Sequence, residues 1–427
     1  MKAYNNPPRA HWPSLTQRPQ LSLDFLESQV RNIIQRVRSA GDAALLELTE
    51  KYDGAVLQQT EVSAQEIEIA AASLSADIKQ AIQVASRNIT AFHSAQTRAD
   101  VKVETMPGVV CWRKSVPIQK VGIYIPGGTA PLFSTVLMLA IPARLAGCPE
   151  VILCTPPNRD GSVNPAIIYA ASLCGIKRIF KVGGAQAIAA MAYGTQSIPG
   201  VYKIFGPGNQ FVTKAKQLVG QEGIAIDMPA GPSEVLVIAD ESADPDFIAA
   251  DLLSQAEHGA DSQVVLVTTS PSLPAAVQSS IEKQLDQLAR KAIASEALQN
   301  SLSLTFVSMD EAVAFANTYA AEHVIIQTTN PELVADALTN AGSVFLGPWT
   351  PEAAGDYASG TNHTLPTGGF ARAYSGVSLE SFNKTITYQQ ISPKGIQLLG
   401  PTVEVMASAE LLDAHRNAIR LRLNKAL

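Results

Sequence analysis

Apolar positions fall into two rhythms along the chain, and the change between them divides it. Up to about residue 95 the spacing is helical. Phe25, Val30, Ile33, Ile34 and Val37 recur three to five positions apart, and Gly41 and Gly54 interrupt the run. Residues 1–18, rich in Pro and Asn, read as an extended arm ahead of it. From residue 121 short apolar runs alternate with helical stretches. Runs at 121–125, 151–154, 178–182 and 203–205 form a first series, and runs at 234–238, 264–268, 304–307, 324–327 and 343–346 a second. Strands alternating with helices of this length predict parallel sheets with right-handed crossovers. Two such series predict two α/β units with a site in the cleft between them. From about residue 379 a strand-like piece leads into a final helix, 409–427.

Composition narrows the picture. A chain of 427 residues, 46% of them hydrophobic, can bury more than one core. Net charge is −6 with the signs interspersed, and no Lys/Arg block marks a nucleic-acid surface. The first eight residues carry no apolar core like that of a signal peptide. The most apolar stretch, 135–141, is too short to span a bilayer. A soluble, cytoplasmic protein is expected. The four cysteines, Cys111, Cys148, Cys154 and Cys174, form no C-x-x-C pair, so reduced core thiols are expected rather than a thiolate metal site.

Several polar groups could carry chemistry. No G-x-G-x-x-G follows any strand. Gly127-Gly128, Gly183-Gly184 and Gly206-Pro207-Gly208-Asn209 each stand between a strand and a helix, where backbone N–H groups can meet a phosphate; ordinary turns explain any one of them as well. In 244–259, Asp244 can cap a helix, Pro245 suits its first turn and Gly259 its end. Gln255 and His258 then share a face of the last turn, and two such donors can ligate one metal; a lone packed histidine is the alternative. Glu322 and His323 begin a strand, where neighbours point to opposite faces. They can serve one site as proton acceptors only from the loop before the regular pleat. The polar, Gly-rich loop that holds Asp356 and His363 has the length of a functional loop. In the final helix Leu412, His415, Ile419 and Leu423 form one stripe, which puts His415 toward a packed surface.

Seven segments in this order resemble the histidinol dehydrogenase family: Val121-Gly-Ile-Tyr-Ile-Pro-Gly-Gly-Thr-Ala-Pro-Leu, Val182-Gly-Gly-Ala-Gln-Ala-Ile-Ala-Ala, Phe205-Gly-Pro-Gly-Asn, Asp227-Met-Pro-Ala-Gly-Pro-Ser-Glu, Ser254-Gln-Ala-Glu-His-Gly, Ala321-Glu-His and Gly360-Thr-Asn-His-Thr-Leu-Pro-Thr. The resemblance implies two incomplete Rossmann-like parallel-sheet domains, a helical N-terminal region and a C-terminal dimerisation tail. It divides the chain into an arm (1–18), a first α/β domain (19–120 with 234–378), an NAD-binding domain (121–233) and a tail (379–427). It implies one zinc per subunit, held by Gln255, His258, Asp356 and His415, and L-histidinol contacts from Ser233, His363 and Glu410 besides the zinc ligands and His323. Glu322 and His323 match the family's catalytic bases, and Tyr124, Gln186 and Asn209 its NAD contacts. The implied activity is oxidation of L-histidinol through the aldehyde to L-histidine, in a homodimer with intertwined tails. A zinc- and NAD-dependent relative acting on another small alcohol is the first alternative; retention of Ser233, His363 and Glu410 argues against it. A non-catalytic metal- or imidazole-binding protein is the second, and the presence of both Glu322 and His323 argues against that.

Overall fold

The computed structural model describes residues 1–18, 24–127, 131–228 and 231–426. Gly128 in the loop after the first predicted strand, Pro229 and Ala230 in the 227–234 segment, and the side chain of Phe25 lie outside the described residues.

Among those residues, fourteen strands make three sheets. The arm contributes β1 (Lys2–Asn5). A hairpin, β2 (Lys102–Met106) and β3 (Val109–Pro117), follows the N-terminal helices. Next come β4 (Lys120–Tyr124), β5 (Glu150–Thr155), β6 (Arg178–Lys181), β7 (Lys203–Phe205) and β8 (Ala225–Ile226). They form a five-stranded parallel sheet in the order β6-β5-β4-β7-β8. Then β9 (Glu234–Ala239), β10 (Gln263–Thr268), β11 (Leu302–Thr305), β12 (His323–Gln327) and β13 (Ser343–Leu346) build a second parallel sheet. Its order, β1-β11-β10-β9-β12-β13, repeats the first winding with β1 added at one edge. Both sheets wind outward from their first strand in both directions, the doubly wound order without its sixth strand. Finally β14 (Asn383–Ile391) pairs antiparallel with β3.

The central strands of each parallel sheet are buried on both faces, so they read as apolar runs rather than alternating. β9 and β10 are buried at every position. One face of the five-stranded sheet packs Val121, Ile123 and Leu153 against helix Phe133–Ala146 and, behind it, Ile82 and Ile89 of helix Ala76–Ser94. The other packs Ile152 and Phe180 against helix Gly184–Tyr193 and Val30 and Ile34 of helix Asp24–Ala40. The N-terminal helices therefore share their core with residues 121–233, whereas the expected division grouped 19–120 with 234–378. The apolar stripe read at 25–37 needed a partner face, and the helices on the five-stranded sheet supply it.

The arm is likewise part of a core. Trp12 is buried and sits edge-on to Phe306 and Phe315, at centroid distances of 5.8 and 5.5 Å. The C-terminal region also departs from expectation. After β14 it forms two helices, Pro393–Ala409 and Asp413–Ala426, separated at Leu411, whose φ is +59°. Gly395, Gly400 and Pro401 hid the first of these in the sequence. Ile419 and Leu423 are half-buried against it, but Leu412 and His415 are exposed, so the surface expected to cover His415 is not provided by its own chain. Among the described residues no helix is long and apolar enough to cross a membrane.

Candidate active site

Helix Met309–Tyr319 ends on Ala320, a buried residue with φ +56°, and the chain then turns into Glu322 and β12. An L residue in the left-handed region costs roughly 1–2 kcal/mol, and here it aims the next residues inward. Gly342 is required beside them, because a Cβ there would lie 2.5 Å from the Glu322 carbonyl oxygen. Glu322 precedes the regular pleat and His323 opens it, so both buried side chains reach one place, His323 Nδ1 lying 3.7 Å from Glu322 Oε2. The backbone of one residue, Glu234, orients them through its two flanking peptide groups. The Glu234 N–H donates to Glu322 Oε2 at 2.9 Å, and the Glu234 carbonyl lies 3.2 Å from His323 Nδ1. A carbonyl only accepts, so in the neutral ring the proton belongs on Nδ1 and Nε2 carries the lone pair.

Three carboxylates crowd the imidazole. Glu352 Oε1 is 3.7 Å from Nδ1 and Asp356 Oδ1 is 3.6 Å from Nε2, with Glu322 the third. His323 Nε2 and Asp356 Oδ1 are both buried and accept or donate no hydrogen bond among the described residues. Burial disfavours the imidazolium, yet Glu352, Glu322 and Asp356 together raise the His323 pKa to about 10. Burial pushes Glu322 up to about 8 against the pull of His323. It raises Asp356 too, but the close approach and charge of His323, with His363 and His258, outweigh it and hold that carboxyl low. One ligand atom each from His323, Glu352 and Asp356 lies within 4.8 Å of the others, so this group could hold a metal ion.

Asp356 lies on the short helix Glu352–Tyr357 rather than on the loop expected from its glycines. Pro351 precedes the helix and Gly355 fits within it, since a Cβ there would collide with the Phe345 ring. Helix Pro245–Ala256 is capped as the sequence suggested, Asp244 accepting from Asp246 N at 2.8 Å. Gln255, in its last turn, is buried with its amide against Glu352. His258 follows the helix, with part of its surface exposed. The surrounding protein lowers its pKa, Asp356 favours its charge and His323 opposes it. His363 Nδ1 is bonded to the Asp356 carbonyl at 2.8 Å and its Nε2 to Thr135 Oγ1 at 2.9 Å. Thr135 belongs to helix Phe133–Ala146, so His363 joins the two α/β units. Ser233, half-buried, immediately precedes β9 and the Glu234 peptide. Gln255, His258, Asp356, His363, Glu322 and His323 thus converge. Glu410 and His415 do not: both are exposed on the tail, and no described hydrogen bond or ion pair ties them to this cluster.

The five-stranded sheet presents its carboxyl edge nearby. Its winding reverses between β4 and β7, the place where doubly wound sheets open a crevice. Tyr124 ends β4, and its buried hydroxyl accepts from Gly184 N at 3.0 Å. Gly206 follows β7 with φ +123°, and a Cβ on it would lie 1.9 Å from the Tyr124 carbonyl oxygen. Its N–H donates to Asp227 at 2.8 Å and its carbonyl accepts from Lys216 at 2.9 Å, and those two side chains form a buried ion pair. Asn209 is exposed and caps helix Gln210–Gln221 by accepting from Phe211 N and Val212 N at 3.1 and 3.2 Å. Gln186 is buried near the start of helix Gly184–Tyr193. These three residues lie along one edge, which could receive a nucleotide.

The buried Glu322–His323 cluster therefore sits at the amino ends of β9 and β12, and the edge lined by Tyr124, Gln186 and Asn209 at the carboxyl ends of the five-stranded sheet. The second sheet uses the opposite end from the one its winding suggests. Sequence reasoning missed Glu352 and Glu234. Glu352 lacked any motif, and only its place at the head of the Asp356 helix could have drawn notice; Glu234 read as the first residue of a strand.

The histidinol dehydrogenase family model matches residues 16–423. A histidinol dehydrogenase of Bacteroides thetaiotaomicron is 57% identical over 99% of both chains. One of Vibrio parahaemolyticus is 56% identical over 94% of this chain and 92% of its own. The crystal structure of histidinol dehydrogenase from Elizabethkingia anophelis superposes with a TM-score of 0.98, at 54% identity, covering 100% of this chain and 98% of that one. With a family match along nearly its whole length and relatives this close in sequence and fold, the chain belongs to the histidinol dehydrogenase family.

Proposed function

We propose that this protein oxidises L-histidinol through L-histidinal to L-histidine in two NAD-linked steps of histidine biosynthesis, in the cytoplasm, as a homodimer. The observation that carries the reading is the buried Glu322–His323 pair with an unpartnered Nε2 aimed at Asp356. The nucleotide edge formed by Tyr124, Gln186 and Asn209 supports NAD as the acceptor of hydride. A group of oxygen and nitrogen donors beside an unsatisfied buried carboxylate oxygen fits zinc, with Gln255, His258 and Asp356 as ligands and His415 of a second copy as the fourth. Zinc, when bound there, would hold the imidazole and amine of the substrate and offset the carboxylate charge that keeps His323 protonated.

The remaining steps belong to the chain's own residues. His323 Nε2 takes the alcohol proton, its ring held by the Glu234 carbonyl. Glu322 then draws a proton from water as it adds to the aldehyde, His323 returns its proton to the aldehyde oxygen, and the freed Nε2 takes the hydroxyl proton of the hydrate. Ser233, His363 and Glu410 orient the substrate, and the grip on it between steps keeps the aldehyde from escaping. Counting NADH against histidine tests this reading. Two NADH per histidine from L-histidinol are expected; a ratio of one, or no turnover with this alcohol, overturns it.

The group His323–Glu352–Asp356 offers a rival metal site, and it would deprive His323 of its role as base. Elemental analysis separates the two. His258→Asn should lose zinc while His323→Asn keeps it and loses turnover.

A further inference from the structure

The N-terminal arm ends in a guanidinium that reaches the residues orienting the catalytic pair. Arg18 donates from Nε to Glu234 Oε1 at 2.8 Å and from Nη2 to Oε2 at 2.9 Å, a two-point grip on a carboxylate shielded from solvent. Nη2 also donates to the Tyr319 carbonyl at 2.8 Å, and the guanidinium lies over the Tyr319 ring, 3.6 Å from its centroid. The Tyr319 hydroxyl donates to Gln263 on β10 at 2.7 Å. Gly368 N donates to the same Glu234 carboxylate at 2.8 Å. Arg18 therefore touches both strands of chain that deliver the bases: the start of β9, where the Glu234 N–H and carbonyl meet Glu322 and His323, and the helix end from which Ala320 turns into Glu322.

We propose that Arg18 is a positioning residue for Glu322 and His323, acting through Glu234 and Tyr319. The inference rests on the assignment of those two residues as bases. Its physical content is geometric. A buried carboxylate stays put only while its charge is met and its lone pairs are filled, and a planar fork fixes the direction of Glu234 in a way a lysine ammonium does not. When that direction drifts, the peptide group that sets the angle of His323 drifts with it, and a displacement of about 1 Å can cost on the order of a hundredfold in rate.

The test uses full-length protein with zinc. Arg18→Lys keeps the charge and loses the fork; Glu234→Gln keeps the peptide and loses the charge, and serves if the first variant does not fold. kcat and KM for L-histidinol are measured well below each variant's Tm, with His323→Asn as reference. The expected result is a fall in kcat of about tenfold or more with KM within about threefold. A merely structural role would lower Tm and leave kcat per folded site unchanged, and that result overturns the proposal. Full turnover in His323→Asn would instead remove the base assignment on which it rests. Loss in His323→Asn with unchanged kcat in both Arg18 and Glu234 variants would remove this inference alone.

Discussion

Glu322 touches almost no solvent, and burial lifts its carboxyl to about 8. A general base works only when ionised, so oxidation of L-histidinal should rise as pH increases through about 8. Single-turnover measurements across that range check the sign, and Glu322→Gln should flatten the profile while sparing aldehyde formation from L-histidinol. Asp53 gives a stability test at the same scale. Its Oδ2 is buried without a hydrogen-bond partner among the described residues, and burial raises its pKa to about 6. The folded value lies above the unfolded one, so its stabilising contribution is full below about pH 4 and is lost as pH rises through about 6. Asp53→Asn should therefore raise Tm more at pH 8 than at pH 4, and equal shifts would count against that account. Three of the four cysteines are poor nucleophiles: burial pushes the Cys148 thiol up to about 11 and Cys174 to about 12, and Cys154 is raised further inside β5. Replacing all four with Ala or Ser should preserve turnover in protein that folds and holds zinc.

At the scale of elements, hydrophobic runs carried most of what could be read. β7 and β13 fall on the expected residues, and other central strands shift by one or two positions at their ends. Strands such as β9, β10 and β12 are buried at every position, which writes a largely apolar run into the chain. β1 left no such mark: all four of its residues are exposed, and its pairing with β11 is made by backbone. The short β2–β3 hairpin was missed for a similar reason, its outward positions being polar or solvent-facing. The residues of the active cluster stood out through motifs, but Glu352 and the orienting peptide of Glu234 did not, because a role that depends on neighbours from distant segments has no local spacing. The arm illustrates the cost of that blindness. Trp12 buries its ring between Phe306 and Phe315, so Trp12→Ala should destabilise the second sheet by about 3–5 kcal/mol, measured by chemical denaturation. A loss under about 1 kcal/mol would mean that the arm merely rests on the surface.

The whole molecule presents a tail that its own chain leaves bare. Leu398, Val405, Met406, Leu411, Leu412 and Leu421 are all exposed on the last two helices and the turn between them, beside Glu410 and His415. An apolar surface of this kind calls for a partner, and a second copy related by a two-fold axis would meet it with the same surface and return its own tail. Refolding His415→Asn together with Glu322→Gln should then restore activity: about half of the dimers are mixed and each mixed dimer has one intact site, giving about a quarter of full activity. No recovery, with mixed dimers verified by mass, would place the tail residues in their own chain's site or outside it. The exposed tail also has a kinetic consequence. A site completed by another molecule exists only after two chains have met, so newly folded protein should gain activity with a lag that shortens as its concentration rises. Conversely, specific activity should decay on extreme dilution even though each chain remains folded, and the enzyme's output in a cell would scale more steeply than linearly with its abundance when the protein is scarce.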